Sequence, residues 1–216
     1  MKNKLLYLLL CAKLLLLSEA KAQEATQRSI ITGNISDYNM QRDGEMAEVI
    51  FDDLLEVRVN SIIHIDSTGN FSFQVTRPFS QKGMLIFGEN LYSFYVAPGD
   101  SQHFDIHSSI AQTTFTGNHA EFNTNLNSYF KLINSFGDDY DIQNSLRCTL
   151  SIEEYQTYIA ENNNVVNSAV DAFLEESKAG NEFKSWSISH RKYSSMANFM
   201  KYRWLKPIKC KINPDS

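Results

Sequence analysis

The sequence predicts an α+β fold, an antiparallel β-sandwich followed by a helical segment of about three helices. Three observations carry this reading: short alternating apolar and polar runs between Ser29 and about Thr116, turn residues between those runs, and a change to helical periodicity after Gly117. The chain has 216 residues, 43% of them hydrophobic, and a formal net charge of -5. That is enough apolar material for one or two packed domains and far from a disordered composition.

Residues 1–22 read as a cleaved export signal. Lys2 and Lys4 precede an apolar run from Leu5 to Leu17, and Ala20-Lys21-Ala22 has the small-x-small pattern that a signal peptidase accepts. The run is interrupted by Lys13 and is shorter than the ~20 apolar residues of a membrane-spanning helix, so no stable span is expected after cleavage. Leu10, before Cys11, is not the small residue that a lipoprotein peptidase requires. The mature chain is therefore expected to begin at Gln23 and to reside in the periplasm or cell envelope.

The sandwich is expected over residues 23–117. SIITGNIS, EVIFDD, LEVRVNSIIHID, FSFQV, GMLIFG, LYSFYV, SQHFDIH and TTFTG are rich in Val, Ile, Phe, Tyr and Thr, and alternation is clearest at Phe71, Phe73, Val75 and at Phe104, Ile106. Asp66-Ser67-Thr68-Gly69 offers an Asx-type turn with a glycine for positive φ, and Pro98-Gly99 fits the centre of a type II turn. Hairpins are expected to close at both.

The helical segment is expected over residues 118–205, packed on or beside the sandwich. Asn118 reads as an N-cap with Glu121 as its reciprocal partner, ahead of Phe122, Leu126, Tyr129, Phe130 and Ile133 on one face. Ser151 to Glu154 is a second capping box, leading Tyr155, Ile159, Val166, Val170, Phe173 and Leu174, with a kink or break at Asn162 to Asn164 and a stop at Gly180. A third run carries Phe183, Trp186, Tyr193, Met196, Met200 and Trp204 as a packing stripe, until Pro207 ends it; residues 206–216 read as a frayed tail. Phe199, Tyr202 and Leu205 lie off that stripe and widen the apolar surface, which makes them the candidate docking residues.

The residues exclude more chemistry than they indicate. Lys and Arg read as scattered rather than striped, leaving no electrostatic footprint for nucleic acid. On one strand His103, Asp105 and His107 share a face, but a rise of 3.3 Å per residue puts the two histidines ~13 Å apart. Only neighbouring pairs could share an ion, and His64 or His119 would have to complete a site; a solvated strand face is the simpler reading. No G-x-S-x-G elbow, H-E-x-x-H or phosphate-binding glycine loop is present, and Asp138-Asp139 and Glu153-Glu154 are neighbours rather than a catalytic pair. No catalytic residue, metal or cofactor is expected. Cys148 and Cys210 remain in the mature chain, and their spacing leaves a disulfide and two free thiols equally open.

The order ITGNIS, IDSTGNFSF, LYSFYVAPGD, FTGNHAEFN resembles the N-terminal region of exported TlpA-like thiol-disulfide oxidoreductases over roughly residues 29–135, and more loosely to Trp204. The resemblance implies that Asp66, Gly69 and Phe71 form a D-x-x-G-x-F hairpin, and that Pro98, Gly99 and Asp100 enter the next strand. It also implies a sandwich and helices ahead of a thioredoxin-like domain with a W-C-x-x-C motif, which this sequence does not contain. The expectation is thus a non-catalytic interaction module, a truncated or split relative, partnered by a thioredoxin-like domain or by itself. The alternative is an accessory subunit of a periplasmic redox system with a separately encoded thioredoxin domain.

Overall fold

The structure is a computed structural model that describes residues 27–52, 58–107, 112–137 and 140–210. The expected export signal, the Asp138-Asp139 pair and residues 211–216 lie outside the described residues. Two compact units meet between Asn127 and Ser128.

In the first unit, strands alternate buried and exposed side chains because successive Cβ atoms point to opposite faces of the pleat. The elements are β1 (Arg28–Ile35), a single-turn helix α1 (Met40–Asp43), β2 (Met46–Asp52), β3 (Arg58–His64), β4 (Asn70–Thr76), β5 (Gln81–Phe87), β6 (Asn90–Val96), β7 (Ser101–Ile106) and β8 (Thr114–Gly117). They pair into two four-stranded sheets, β4-β1-β7-β8 and β3-β2-β5-β6. All eight expected strand runs are present and the sandwich class holds. One pair departs from antiparallel order: β1 and β7 run parallel.

Inward side chains of both sheets share one core that includes Ile31, Val49, Phe71, Leu85, Phe94 and Phe104. Phe94 of one sheet meets Phe104 of the other at 5.5 Å between ring centres, and Phe73 at 6.2 Å. Gly33 is required here by close approach, since a Cβ would strike the Phe71 ring and the Phe104 carbonyl.

The two expected hairpins are corners instead. Asp66 accepts from the Thr68 N–H at 2.8 Å, the Asn70 N–H at 3.0 Å and the Thr68 hydroxyl at 2.6 Å, and Gly69 takes φ +85°. These bonds hold the Asp66 carboxyl down at about 2, with the Thr68 hydroxyl as the largest cause. Yet β3 and β4 lie in different sheets, joined locally by the single bridge Ile65 to Phe71. Likewise the Asp100 N–H donates to the Ala97 carbonyl at 3.2 Å across Pro98-Gly99, and the chain passes from β6 to the other sheet. Turn chemistry specifies a reversal; it does not specify which sheet receives the next strand. A tight hairpin does close at Gly88-Glu89, where Phe87 faces Asn90 and Gly88 supplies φ +59°.

Helix α2 (Ala120–Ser135) begins two residues after the expected cap. The Asn118 carboxamide is taken by the sheet, accepting from the Ser101 N–H at 2.9 Å, and so does not cap the helix. The first half of α2 lies along β6, an edge strand. Asn123 Oδ1 accepts from the Tyr95 N–H at 2.6 Å, while Asn127 accepts from the Ser93 N–H at 3.1 Å and donates to the Ser93 carbonyl at 2.7 Å. Asparagines one helical turn apart thus match alternate strand residues, satisfying an edge that would otherwise be left unpaired. Buried Gln102 joins them, accepting from Asn123 Nδ2 at 3.0 Å and donating to the Tyr95 carbonyl and Asp100, both at 2.9 Å.

The second unit contains the rest of α2, then α3 (Tyr140–Thr149), α4 (Ile152–Glu176) and α5 (Asn181–Lys209). The short α3 was not legible in the sequence. The capping box at Ser151 forms as expected, with both reciprocal bonds made. No break occurs at Asn162 to Asn164: α4 runs through them, and Asn163 donates to Ser195 Oγ on α5 at 2.8 Å. Gly180 does not stop α4 but stands at the N-cap of α5.

Candidate functional site

Helix α5 carries the candidate docking residues, and the structure inverts the face on which they were placed. Tyr202 is 5% exposed and stacks on Tyr155 at 4.7 Å between ring centres. Its hydroxyl donates to the Leu150 carbonyl at 2.9 Å, and Lys206 Nζ reaches the same carbonyl at 2.6 Å. Tyr202 is therefore a core residue of its unit and not a docking residue. Phe199 and Leu205 are half-buried. Phe199 lines a cleft of about 380 Å³ with Ile159, Ala160, Met196 and Met200.

From Tyr193 onward, the stripe expected to pack is instead the solvent face. Tyr193 is 65% exposed, Trp204 64% and Ile208 73%, with Met196 and Met200 also exposed. Trp186, nearer the start of the helix, does pack: it stacks on Phe183 at 5.5 Å and on His190 at 4.9 Å. The inversion arises because α5 carries apolar residues around much of its circumference, so its inward face is chosen by which polar tips find partners. Tyr202 and Lys206 find the Leu150 carbonyl; Trp204 has no comparable acceptor among the described residues.

The end of α5 is fastened rather than frayed. Cys210 is disulfide-bonded to Cys148, with a Cα–Cα separation of 5.4 Å, which decides between the two readings of these cysteines. Together with the Tyr202 and Lys206 bonds to Leu150, this carries the helix past Pro207 to Lys209. Pro207 lacks an N–H and leaves only the Arg203 carbonyl without its helical donor.

An open groove of about 790 Å³ lies beside α5 in the same unit, lined among others by Tyr129, Asn163, Asn167, Asp171, Arg191 and Lys201. Arg191 Nη1 donates to Asp171 at 2.9 Å and to Asn167 Oδ1 at 3.3 Å, so its charge is already engaged in bracing α5 to α4. Tyr129 hydroxyl lies 2.9 Å from His190 Nδ1. Burial pushes its phenol up to about 12, against a smaller opposing effect of the Arg191 charge. The groove thus contains a braced ion pair and a neutral phenol that shares a hydrogen bond with His190.

The histidine strand forms a strip of hydrogen bonds on the outer face of its sheet. His103 Nδ1 lies 2.9 Å from Thr32 Oγ1 and its Nε2 lies 3.2 Å from Asp105 Oδ1, while His107 faces Ser36 at 3.4 Å. His64 and His119 do not join it: His64 is exposed on β3, and His119 lies 3.6 Å from Asp100. Among the described residues no group of three His, Cys, Asp or Glu side chains is placed to hold a metal ion.

No protein-family model, curated protein or solved structure matches the chain.

Proposed function

We propose that the chain is a non-catalytic interaction module of the cell envelope, related to the N-terminal region of TlpA-like thiol-disulfide oxidoreductases. The observation that carries this is the exposed row on α5, Tyr193, Met196, Met200, Trp204 and Ile208, on a helix whose opposite face is fastened by Tyr202, Lys206 and the disulfide. A contiguous apolar row on a braced helix is the feature expected of a contact surface. The cationic, apolar leader and the Cys148–Cys210 bond both support an oxidising compartment outside the cytoplasm.

The test is fractionation of the envelope of cells exporting the protein or its Met200→Asp, Trp204→Asp double variant. The unaltered protein should be recovered with particulate or complexed material and should begin at Gln23, and the variant should shift to the free soluble fraction. Identical distributions of the two would refute the docking reading.

A second reading, an accessory subunit of a redox system served by a separate thioredoxin-like domain, is favoured by the exposure of Cys148 in the disulfide. It requires a partner dithiol, since one disulfide without a C-x-x-C gives no resolving thiol one turn away. Reduction of Cys148–Cys210 by a thioredoxin-domain protein at a rate above that of equimolar dithiothreitol would support it; equal rates would count against it.

A further inference from the structure

We propose that the outer face of α5 is a contact surface for an anionic membrane, seating peripherally on acidic lipid headgroups; this rests on the docking reading above and names its partner. The argument starts from charge. The chain is acidic overall, at -5, but from Arg191 to Lys209 it contains no Asp or Glu, and it carries Arg191, Lys192, Lys201, Arg203, Lys206 and Lys209 there. The sequence impression of scattered basic residues is corrected by this cluster.

The cluster is organised about the apolar row. At 100° per residue, Tyr193, Met196, Met200, Trp204 and Ile208 fall within an arc of about 120° and span ~22 Å of helix. Lys192 and Arg203 border the arc on one side and Lys201 on the other, and all three are exposed. Arg191 and Lys206 point elsewhere, engaged with Asp171 and with the Leu150 carbonyl. The face therefore presents an apolar ridge between two cationic margins.

Three occupants differ in how they meet such a ridge. A second copy would bring like-charged margins together. A folded acidic protein normally offers ~20–30 residues per side of a stable interface, against one row of five apolar side chains here. A bilayer surface needs neither a matching groove nor a wide patch. Tyr and Trp place an apolar ring and a polar edge at the headgroup boundary, and Lys and Arg beside them attract acidic lipid. Among the described residues no helix is long and apolar enough to cross a membrane, so the contact proposed is an edge-on one.

The experiment is flotation of the exported protein with vesicles of phosphatidylcholine alone or of phosphatidylcholine with phosphatidylglycerol. Binding is expected only with phosphatidylglycerol, and it should weaken as salt is raised. Lys201→Glu with Arg203→Glu should weaken it by at least about tenfold, and Met200→Ser with Trp204→Ser should abolish it. Each variant is checked for native circular dichroism and an intact disulfide. Absence of binding, equal binding to both vesicle types, or binding indifferent to both variants overturns the proposal. If envelope fractionation responds to the Met200→Asp, Trp204→Asp variant while vesicles do not bind, docking stands with an acidic protein as partner and the lipid proposal falls. If neither responds, both fall.

Discussion

The carboxamide of Asn127 pairs with Ser93 in both directions, accepting from its N–H at 3.1 Å and donating to its carbonyl at 2.7 Å. A helical side chain thereby does for the edge strand β6 what a neighbouring strand would do. Because the contact is buried, water cannot replace it when the amide is removed.

Asn127→Ala should therefore destabilise the first unit by about 1–3 kcal/mol, the cost of leaving buried backbone groups unpaired. Asn127→Asp should also be destabilising, since it keeps the acceptor, loses the donor and buries a charge. Urea denaturation followed by circular dichroism measures both. An unchanged midpoint for Asn127→Ala would show that the clasp contributes nothing.

Gly33→Ala should cost about 1–3 kcal/mol through overpacking, because the new methyl group meets both the Phe71 ring and the Phe104 backbone. The same change at Gly44, which has open space around it but a φ of +76°, should cost only the strain of that conformation. Thermal melts of the two variants side by side separate crowding from backbone strain.

In protein purified without reductant, alkylation should modify neither Cys148 nor Cys210, and alkylation after reduction should modify both. Intact mass reads this directly. Cys148→Ser with Cys210→Ser should lower stability by about 2–4 kcal/mol, with the loss confined to the helical unit that the bond closes.

Tyr129 should titrate near 12, above the ordinary tyrosine value of about 10. Its folded pKa is raised, so its stabilising contribution is complete below pH 10 and is lost as the pH rises from 10 to about 12. An ultraviolet phenolate titration compared with that of Tyr129→Phe should show one late-titrating ring missing from the variant.

The strands were legible because alternation reports directly which side chains face a core, as at Phe71 and Phe104. Three features were not. The corners at Asp66 and Pro98 share their turn chemistry with hairpins and differ only in where the following strand pairs. The role of Asn123 and Asn127 depends on β6 lying beside α2, which no local pattern encodes. On α5 the large residues Tyr193, Met200 and Trp204 looked like the inward row, whereas Tyr202 took that place because its hydroxyl reaches the Leu150 carbonyl. For the candidate site, the helix was identified from sequence and the face was not.

The parallel pairing of β1 with β7 has a bearing on when the sandwich can form. Strand β1 lies inside its sheet, between β4 and β7, with Ile30 opposite Ser101, so it cannot complete its ladder until about seventy further residues have emerged, and such non-local pairing slows folding. An early β1–β4 ribbon can assemble, but the sheet stays open on one side until Ile106 is available. The sheet that contains the earliest described strand is thus among the last parts of the unit to be finished, because its centre waits for a strand made much later.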